Sequence, residues 1–186
     1  MKSPSHSLQG QLLLDGGRLR GSFFHRSVVL ICQHDDNGAF GLILNRTMAS
    51  RAGELILEEL PESIQEKPLF LGGPVQPGAL SYLHTDDYLP QANVMPQVNL
   101  GHSLDELHEL AQSFSTTKRL RIFAGYAGWS PGQLDSEIES EAWLVHPASR
   151  ELIFEASAES LWEKILQQKN WQHRLLAQSP EDPSWN

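Results

Sequence analysis

The segment that decides the fold spans residues 26–46 and reads RSVVLICQHDDNGAFGLILNR. Two apolar, β-branched runs, at residues 27–34 and 39–45, flank a polar link that ends in Asn37-Gly38. Asn-Gly between apolar runs is typical of a tight β-hairpin turn. Because apolar side chains occur on both alternating faces of the runs, we expect this hairpin to lie inside the core.

Shorter strand patterns surround this hairpin, and helical patterns lie between them. We predict strands at residues 11–14, 69–71, 79–84 and 120–127, and a hairpin of 143–146 with 151–155. We predict helices at residues 51–60, after Ser103, at 133–140 and from about 157. Hairpins mixed with helices indicate an α+β fold. The chain shows no linker or repeat, so we expect a single domain over residues 1–186, with loose tails at about 1–8 and 178–186.

Composition narrows the class of protein. The chain has 186 residues, one cysteine and a formal net charge of −9. The negative charge disfavours a general nucleic-acid binder, and a single cysteine suggests a reducing compartment. No apolar run approaches the ~20 residues of a membrane span. We therefore expect a cytoplasmic protein without a membrane segment.

Positive charge is concentrated near the N-terminus. Residues 1–50 carry five basic and three acidic side chains, whereas acidic residues predominate in the rest of the chain. One interpretation is a solvated acidic surface formed by helical glutamates, which we favour. The other is a local anion site near Arg18, Arg20, His25 and Arg26.

Residues 128–132 read GWSPG and match the G-x-S-x-G pattern of a hydrolase nucleophile. The residue after the nucleophile must donate its N–H to the oxyanion, but Pro131 has none. Ser130 is better interpreted as a helix N-cap, with Pro131 in the first turn and Gln133 completing a capping box. The start of this helix could still hold an anion.

Other reactive residue types give weak signals. Cys32 alternates with apolar residues along a strand, so burial is expected rather than reactivity. The eight histidines show no metal-ligand spacing, and no phosphate-binding loop pattern occurs. We therefore expect no metal and no cofactor.

Three segments together carry a family resemblance. They are residues 26–46, quoted above, residues 70–84 (FLGGPVQPGALSYLH) and residues 125–144 (GYAGWSPGQLDSEIESEAWL). In this order and spacing the chain resembles the bacterial YqgE/AlgH family. The resemblance implies a cytosolic α+β protein with a mixed, branched, partly barrel-like sheet surrounded by helices. Many members carry the label of transcriptional regulator, and the family supplies no established catalytic residues.

The motif residues of these segments are the candidate ligand-binding residues. They are Arg26, His34, Asn45, Gly72, Gly73, Tyr126, Gly128, Trp129, Gly132 and Gln133. They either line one shared cleft or serve as turns, caps and core aromatics of the sheet.

Three hypotheses about function follow. The first is a non-enzymatic regulatory or binding protein that acts through a small ligand or a protein partner. In its testable form, an anionic ligand lies between the Arg26 region and residues 128–133. The alternative is a hydrolase that uses Ser130 or Cys32. Direct DNA binding is the least favoured, because the chain is acidic and lacks a DNA-binding motif.

Overall fold

A computed structural model gives the fold and describes residues 6–56, 60–86, 92–113 and 119–181. Within these residues, ten strands form one branched sheet and seven short helices pack around it. The strands are β1 (Gln11–Asp15), β2 (Val28–Asp35), β3 (Gly38–Ile43), β4 (Thr47–Arg51), β5 (Pro68–Leu71), β6 (Val75–His84), β7 (Ala92–Met95), β8 (Val98–Gly101), β9 (Leu120–Trp129) and β10 (Trp143–Pro147). The helices are α1 (Ala52–Leu55), α2 (Glu62–Gln65), α3 (Leu104–Gln112), α4 (Gln133–Glu139), α5 (Arg150–Phe154), α6 (Leu161–Gln167) and α7 (Trp171–Gln178).

The predicted central hairpin is β2–β3. Its register pairs Asp35 with Gly38, so Asp36 and Asn37 form the turn. Asn37 keeps an ordinary negative φ, whereas Gly38 has φ +128°. An added Cβ at Gly38 would lie 2.2 Å from the carbonyl oxygen of Trp129, so only glycine fits. The hairpin is confirmed, but its positive-φ position is Gly38 alone.

The sheet branches at β9. One edge of β9 pairs with β6, and the other edge is shared by β5 in parallel and β3 antiparallel. Gly72 lies in this fork, where its N–H donates to Ala124 and its carbonyl accepts from Ile43. Buried residues of β7 and β8 join the same apolar cluster as β1 and β2, so the sheet curls without closing into a barrel. The predicted α+β fold with a mixed, branched, partly barrel-like sheet is confirmed.

Alternation along β2 divides the core. Val28, Leu30 and Cys32 face a large cluster that is covered by α5 and α6. Val29 and Ile31 face a second cluster that contains aromatic side chains of β9 and β10. The β2–β3 hairpin therefore buries apolar side chains on both of its faces, as the sequence predicted.

The predicted helix at residues 51–60 is confirmed only over Ala52–Leu55 and is wrong at Arg51 and Ile56. Thr47–Arg51 forms β4, and only Ala52–Leu55 is helical before Ile56 turns extended. Residues 57–59 lie outside the described residues. Pro61 precedes α2, which fits its preference for a helix start over a helix interior.

The predicted hairpin of residues 143–146 with 151–155 is also wrong. β10 pairs with β1 instead, and Arg150–Phe154 forms α5. The Ser149 hydroxyl accepts the N–H of Leu152 at 3.2 Å, and Ile153 is buried. This N-cap and one apolar contact override the β-like composition of the segment.

The two chain ends make contacts close to the predicted tails. Near the N-terminus, the Ser7 hydroxyl donates to the carbonyl of His34. Helix α7 was not anticipated, and its N-cap Asn170 accepts the N–H of His173. Residues 1–5 and 182–186 lie outside the described residues, and the single-domain assignment stays a prediction. None of the described helices is long and apolar enough to cross a membrane.

Candidate functional site

A polar cleft of about 300 Å³ lies at the end of the β2–β3 hairpin opposite its turn. We call it the arginine cleft. It is lined by His25, Arg26, Asn45, Arg46, Glu159, Trp162, Glu163 and Glu181. Two of the candidate residues, Arg26 and Asn45, are therefore part of this cleft.

Asp15 anchors the loop that carries one wall of the cleft. Its carboxylate is fully buried and accepts the N–H groups of Gly17, Leu19 and Arg26, at 2.8, 3.2 and 2.8 Å. A buried charge needs such donors to offset its lost hydration. These bonds hold Arg26 at a left-handed φ of 55°, a conformation that non-glycine residues seldom adopt.

The side chain of Arg26 is fixed by two contacts. Its guanidinium lies 4.9 Å from the centre of the Trp162 ring and donates to the carbonyl of Ser179. The Trp162 indole in turn donates to the carbonyl of Asp15 at 3.0 Å. Arg26 thus joins the β1–β2 loop to α6 and to the residues after α7.

Asn45 lines the cleft, and its side chain forms hydrogen bonds to backbone groups of Arg26 and Val28. Its amide nitrogen donates to the carbonyl of Arg26, and its oxygen accepts the N–H of Val28, both at 2.8 Å. Both amide groups are therefore occupied, and the residue positions Arg26 rather than offering a free donor to a ligand.

Arg46 has no carboxylate partner among the described residues. Its guanidinium lies 4.7 Å from the centre of the Phe23 ring and donates to the carbonyl of His25. Burial lowers the pKa of Arg46. Among the described residues, no carboxylate oxygen lies within 4.0 Å of the Arg26 or Arg46 guanidinium.

Arg121 repeats this arrangement beside the cleft. Its guanidinium lies 4.6 Å from the centre of the Phe70 ring and donates to the carbonyls of Leu44 and Ala156. Burial lowers the pKa of Arg121 to about 10, so the side chain remains charged at neutral pH. In the described part of the chain, none of the guanidinium groups of Arg26, Arg46 and Arg121 has a carboxylate oxygen within 4.0 Å.

His25 lines the same cleft. Its Nδ1 lies 3.4 Å from a carboxylate oxygen of Asp15, and a quarter of its side chain is exposed. The predicted basic cluster is otherwise divided, because Arg18 pairs with Glu141 at 2.8 Å outside the cleft.

A second group of candidate residues surrounds the start of α4. The carboxylate of Glu137 accepts the indole N–H of Trp129 and that of Trp143, both at 2.8 Å. Its other oxygen accepts from the side chain of Gln133 at 2.9 Å. Because Trp129 is a buried residue of β9 and Glu137 belongs to α4, this carboxylate connects α4 to the sheet.

The predicted Ser130 N-cap is wrong. The N-cap of α4 is Gly132, whose φ of 73° suits glycine. Ser130 precedes it in a turn, where its carbonyl accepts the N–H of Gln133 and its own N–H donates to the Gln133 side chain. This is half of a capping box without the hydroxyl bond.

The remaining glycines fit close packing. At Gly72, an added Cβ would lie 2.3 Å from the carbonyl oxygen of Gly125. At Gly73, it would lie 2.1 Å from the carbonyl carbon of Tyr126. At Gly128 it would meet the Tyr126 ring at 3.2 Å, and that ring stacks on Phe40 at 4.9 Å. The fork of the sheet therefore accounts for these positions without a ligand.

His34 lies near the hairpin turn, far from the arginine cleft. It is buried, its Nδ1 accepts the N–H of Leu8 at 3.1 Å, and its Nε2 is 3.8 Å from Asp135. Six residues of extended strand, about 20 Å, separate it from Val28 at the other end of β2. The structure thus does not bring Arg26 together with residues 128–133, and their ligand-binding role stays a prediction.

The two candidate nucleophiles are poorly placed for chemistry. Cys32 is 1% exposed, and burial raises the pKa of its thiol, which disfavours the reactive thiolate. Ser130 is exposed, its hydroxyl makes no hydrogen bond to the described residues, and Pro131 follows it. In the described part of the chain, no group of three His, Cys, Asp or Glu side chains could hold a metal ion.

Sequence reasoning missed Asp15, Arg46, Arg121 and Glu137. Asp15 had a signal, because it follows directly after the apolar run of the predicted strand at residues 11–14. Arg121 also had a signal, because it interrupts the apolar run of residues 120–127. Nothing in the sequence alone indicated that Glu137 would bind two indoles.

The chain is similar to known proteins over nearly its whole length. A family model described as AlgH-like matches residues 12–174. The chain belongs to the AlgH-like family. UPF0301 proteins of Chlorobium limicola and Chlorobaculum parvum are 35% and 37% identical to it over 182 residues, covering 95% of both chains in each case.

Solved structures agree with the AlgH-like assignment. The solution structure of the AlgH protein from Pseudomonas aeruginosa matches with a TM-score of 0.73 and 26% identity, covering 98% of this chain and 100% of that one. A crystal structure of a protein from Corynebacterium diphtheriae matches with a TM-score of 0.75 over 95% of both chains. At 22% identity, the second match shows the fold alone.

Proposed function

We propose that this AlgH-like protein is a non-enzymatic binding protein of the cytoplasm, and that it holds the anionic group of a small ligand in the arginine cleft. One observation carries the proposal: Arg46 is partly desolvated beside a cavity of about 300 Å³, and no described carboxylate compensates it. A cation removed from water without a partner costs free energy, which an incoming anion would recover.

The neighbouring groups support an anion at this place. Arg26 is held by Trp162 and Ser179, so little side-chain entropy is lost when a ligand binds. Guanidinium groups bind carboxylates and phosphates through paired N–H donors. The cleft replaces the site expected between Arg26 and residues 128–133, because those two regions lie at opposite ends of the hairpin.

Regulation is the second part of the proposal. The Arg26 guanidinium donates a hydrogen bond to the carbonyl of Ser179, just after α7. A ligand that binds this guanidinium therefore changes the contact that it makes with the C-terminal residues. A partner protein that contacts α7 would then sense whether the cleft is occupied. The resemblance to regulatory proteins makes transcriptional control the process to examine first.

Native mass spectrometry of protein purified gently from its own cells tests the proposal. We expect a reproducible added mass on the wild type that Arg46→Gln loses. The matched control is Arg20→Gln, which removes an exposed arginine outside the cleft. An added mass that both variants retain would place the ligand elsewhere, and a clean apo mass would shift the proposal to a protein partner.

A further inference from the structure

The arginine cleft has a basic side and an acidic side. Arg26 and Arg46 come from the residues that flank β2 and β3. Glu159 and Glu163 come from the start of α6, and Glu181 follows α7. The two sides therefore belong to different parts of the fold that meet at the cavity.

These opposite charges do not neutralise each other. No ion pair within 4.0 Å joins either arginine to any of the three glutamates. The ion pair that α6 does form among the described residues joins Lys164 to Glu151 outside the cleft. Among the described residues, the cavity thus separates guanidinium groups that lack a carboxylate partner from carboxylates that lack an ion pair.

We propose that the ligand of this cleft is a zwitterion of amino-acid size, an α-amino acid or a very short peptide. Its carboxylate would bind Arg26 and Arg46, and its ammonium group would bind the glutamates, with Glu163 the most enclosed of them. This inference rests on the proposed function, and it adds the chemical class of the ligand.

Charge and size both favour a zwitterion over a bare anion. Three carboxylates against two guanidinium groups would repel a ligand that carried only negative charge. A ligand with both charges satisfies both sides and leaves the net charge of the cleft unchanged. A volume of about 300 Å³ lies at the lower limit of ligand pockets, which suits a small metabolite rather than a nucleotide.

The test compares amino acids with derivatives that lack the ammonium charge. Isothermal titration calorimetry of the full chain would use the twenty amino acids and their N-acetyl derivatives, which keep the carboxylate and lose the ammonium group. We expect at least one amino acid to bind about tenfold more tightly than its N-acetyl derivative, as for a lost charge-assisted hydrogen bond. Glu163→Gln should reduce this preference, while Glu109→Gln, an exposed glutamate on α3, should keep it.

The outcomes separate this inference from the proposed function. If N-acetyl amino acids or inorganic phosphate bind as tightly as any amino acid, and Arg46→Gln abolishes that binding, the anion site stands and the zwitterion inference is refuted. If amino acids bind but Glu163→Gln leaves the preference unchanged, the assigned ammonium position is wrong. If none of these probes binds and no mass copurifies, both proposals fail.

Discussion

Replacing Gly73 with alanine should destabilise the protein strongly. The new Cβ would lie 2.1 and 2.2 Å from the carbonyl carbon and oxygen of Tyr126, and 2.3 Å from the nitrogen of Ala127. Ordinary contacts of a Cβ are 3.4–4 Å, so the overlap exceeds 1 Å. The atoms it meets belong to the backbone of β9, which pairs along both edges and cannot rotate away.

The magnitude follows from this overlap. An extra methyl group in a packed core costs about 1–3 kcal/mol, and a clash with paired backbone belongs at or above the upper limit. We expect the free energy of unfolding to fall by about 3 kcal/mol. With a urea dependence of about 1–3 kcal/mol per molar, the unfolding midpoint should fall by roughly 1–3 M.

The matched control is Gly78→Ala in the same strand region. An added Cβ at Gly78 meets no atom within 4 Å, and its φ lies outside the left-handed region. We expect this variant to be unchanged or more stable by about 0.4–1 kcal/mol, because alanine restricts the unfolded chain. Urea unfolding followed by tryptophan fluorescence would measure both variants.

One result would refute the packing argument. If Gly73→Ala unfolds at the wild-type midpoint and yet loses a copurified ligand, Gly73 serves ligand approach rather than strand packing. A large loss of stability with Gly73→Ala alone supports the fork of the sheet as the reason for glycine.

Three further predictions concern other parts of the molecule. Iodoacetamide should leave Cys32 unlabelled in the folded protein and label it fully in urea, because burial raises the pKa of the thiol; stoichiometric labelling of folded protein would revive a cysteine nucleophile. Glu137→Gln should lower the free energy of unfolding by about 2–3 kcal/mol and shift tryptophan emission, because the carboxylate accepts two indole N–H groups. Glu139→Gln on the same helix should do neither. Equal unfolding midpoints of the two variants would contradict the role of the Glu137 carboxylate. Burial, and then the charge of a nearby lysine, lower the pKa values of His146 and His173, so the unfolded state takes up protons first and stability should fall as the pH drops below about 6.5. Replacing both histidines with glutamine should flatten this part of the stability curve, as measured by thermal unfolding between pH 5 and 8, and an unchanged slope would assign it to other groups.

The sequence predicted the centre of the fold better than its margins. The hairpin of residues 26–46 was predicted correctly, because it combines a turn signal with two apolar runs, and such runs require a buried position. Residues 151–155 have β-like composition, but Ser149 caps a helix there. Strand β10, with which we expected them to pair, pairs with β1 instead. Such a competition between partners is decided by tertiary pairing, which a single sequence does not reveal.

The site was predicted in part for a similar reason. Arg26 and Asn45 lie in the arginine cleft because each sits next to a strand end, where the sequence motif placed them. Arg46 belongs to the same motif segment but was not singled out, and Trp162 comes from a helix more than a hundred residues away. Which distant side chains share a cavity depends on how the sheet curls, and local patterns carry little of that information.

The branch at β9 also determines when the earlier strands can pair during synthesis. Strands β3, β5 and β6 all leave the ribosome before β9, their common neighbour, has been synthesised, and β1 waits still longer for β10. Until residue 129 has emerged, these strands expose edges that would pair with any other extended chain. Pairings between residues this far apart in the chain form slowly, since a long loop must close first. We therefore expect the nascent chain of an AlgH-like protein to depend on chaperones until β9 is complete.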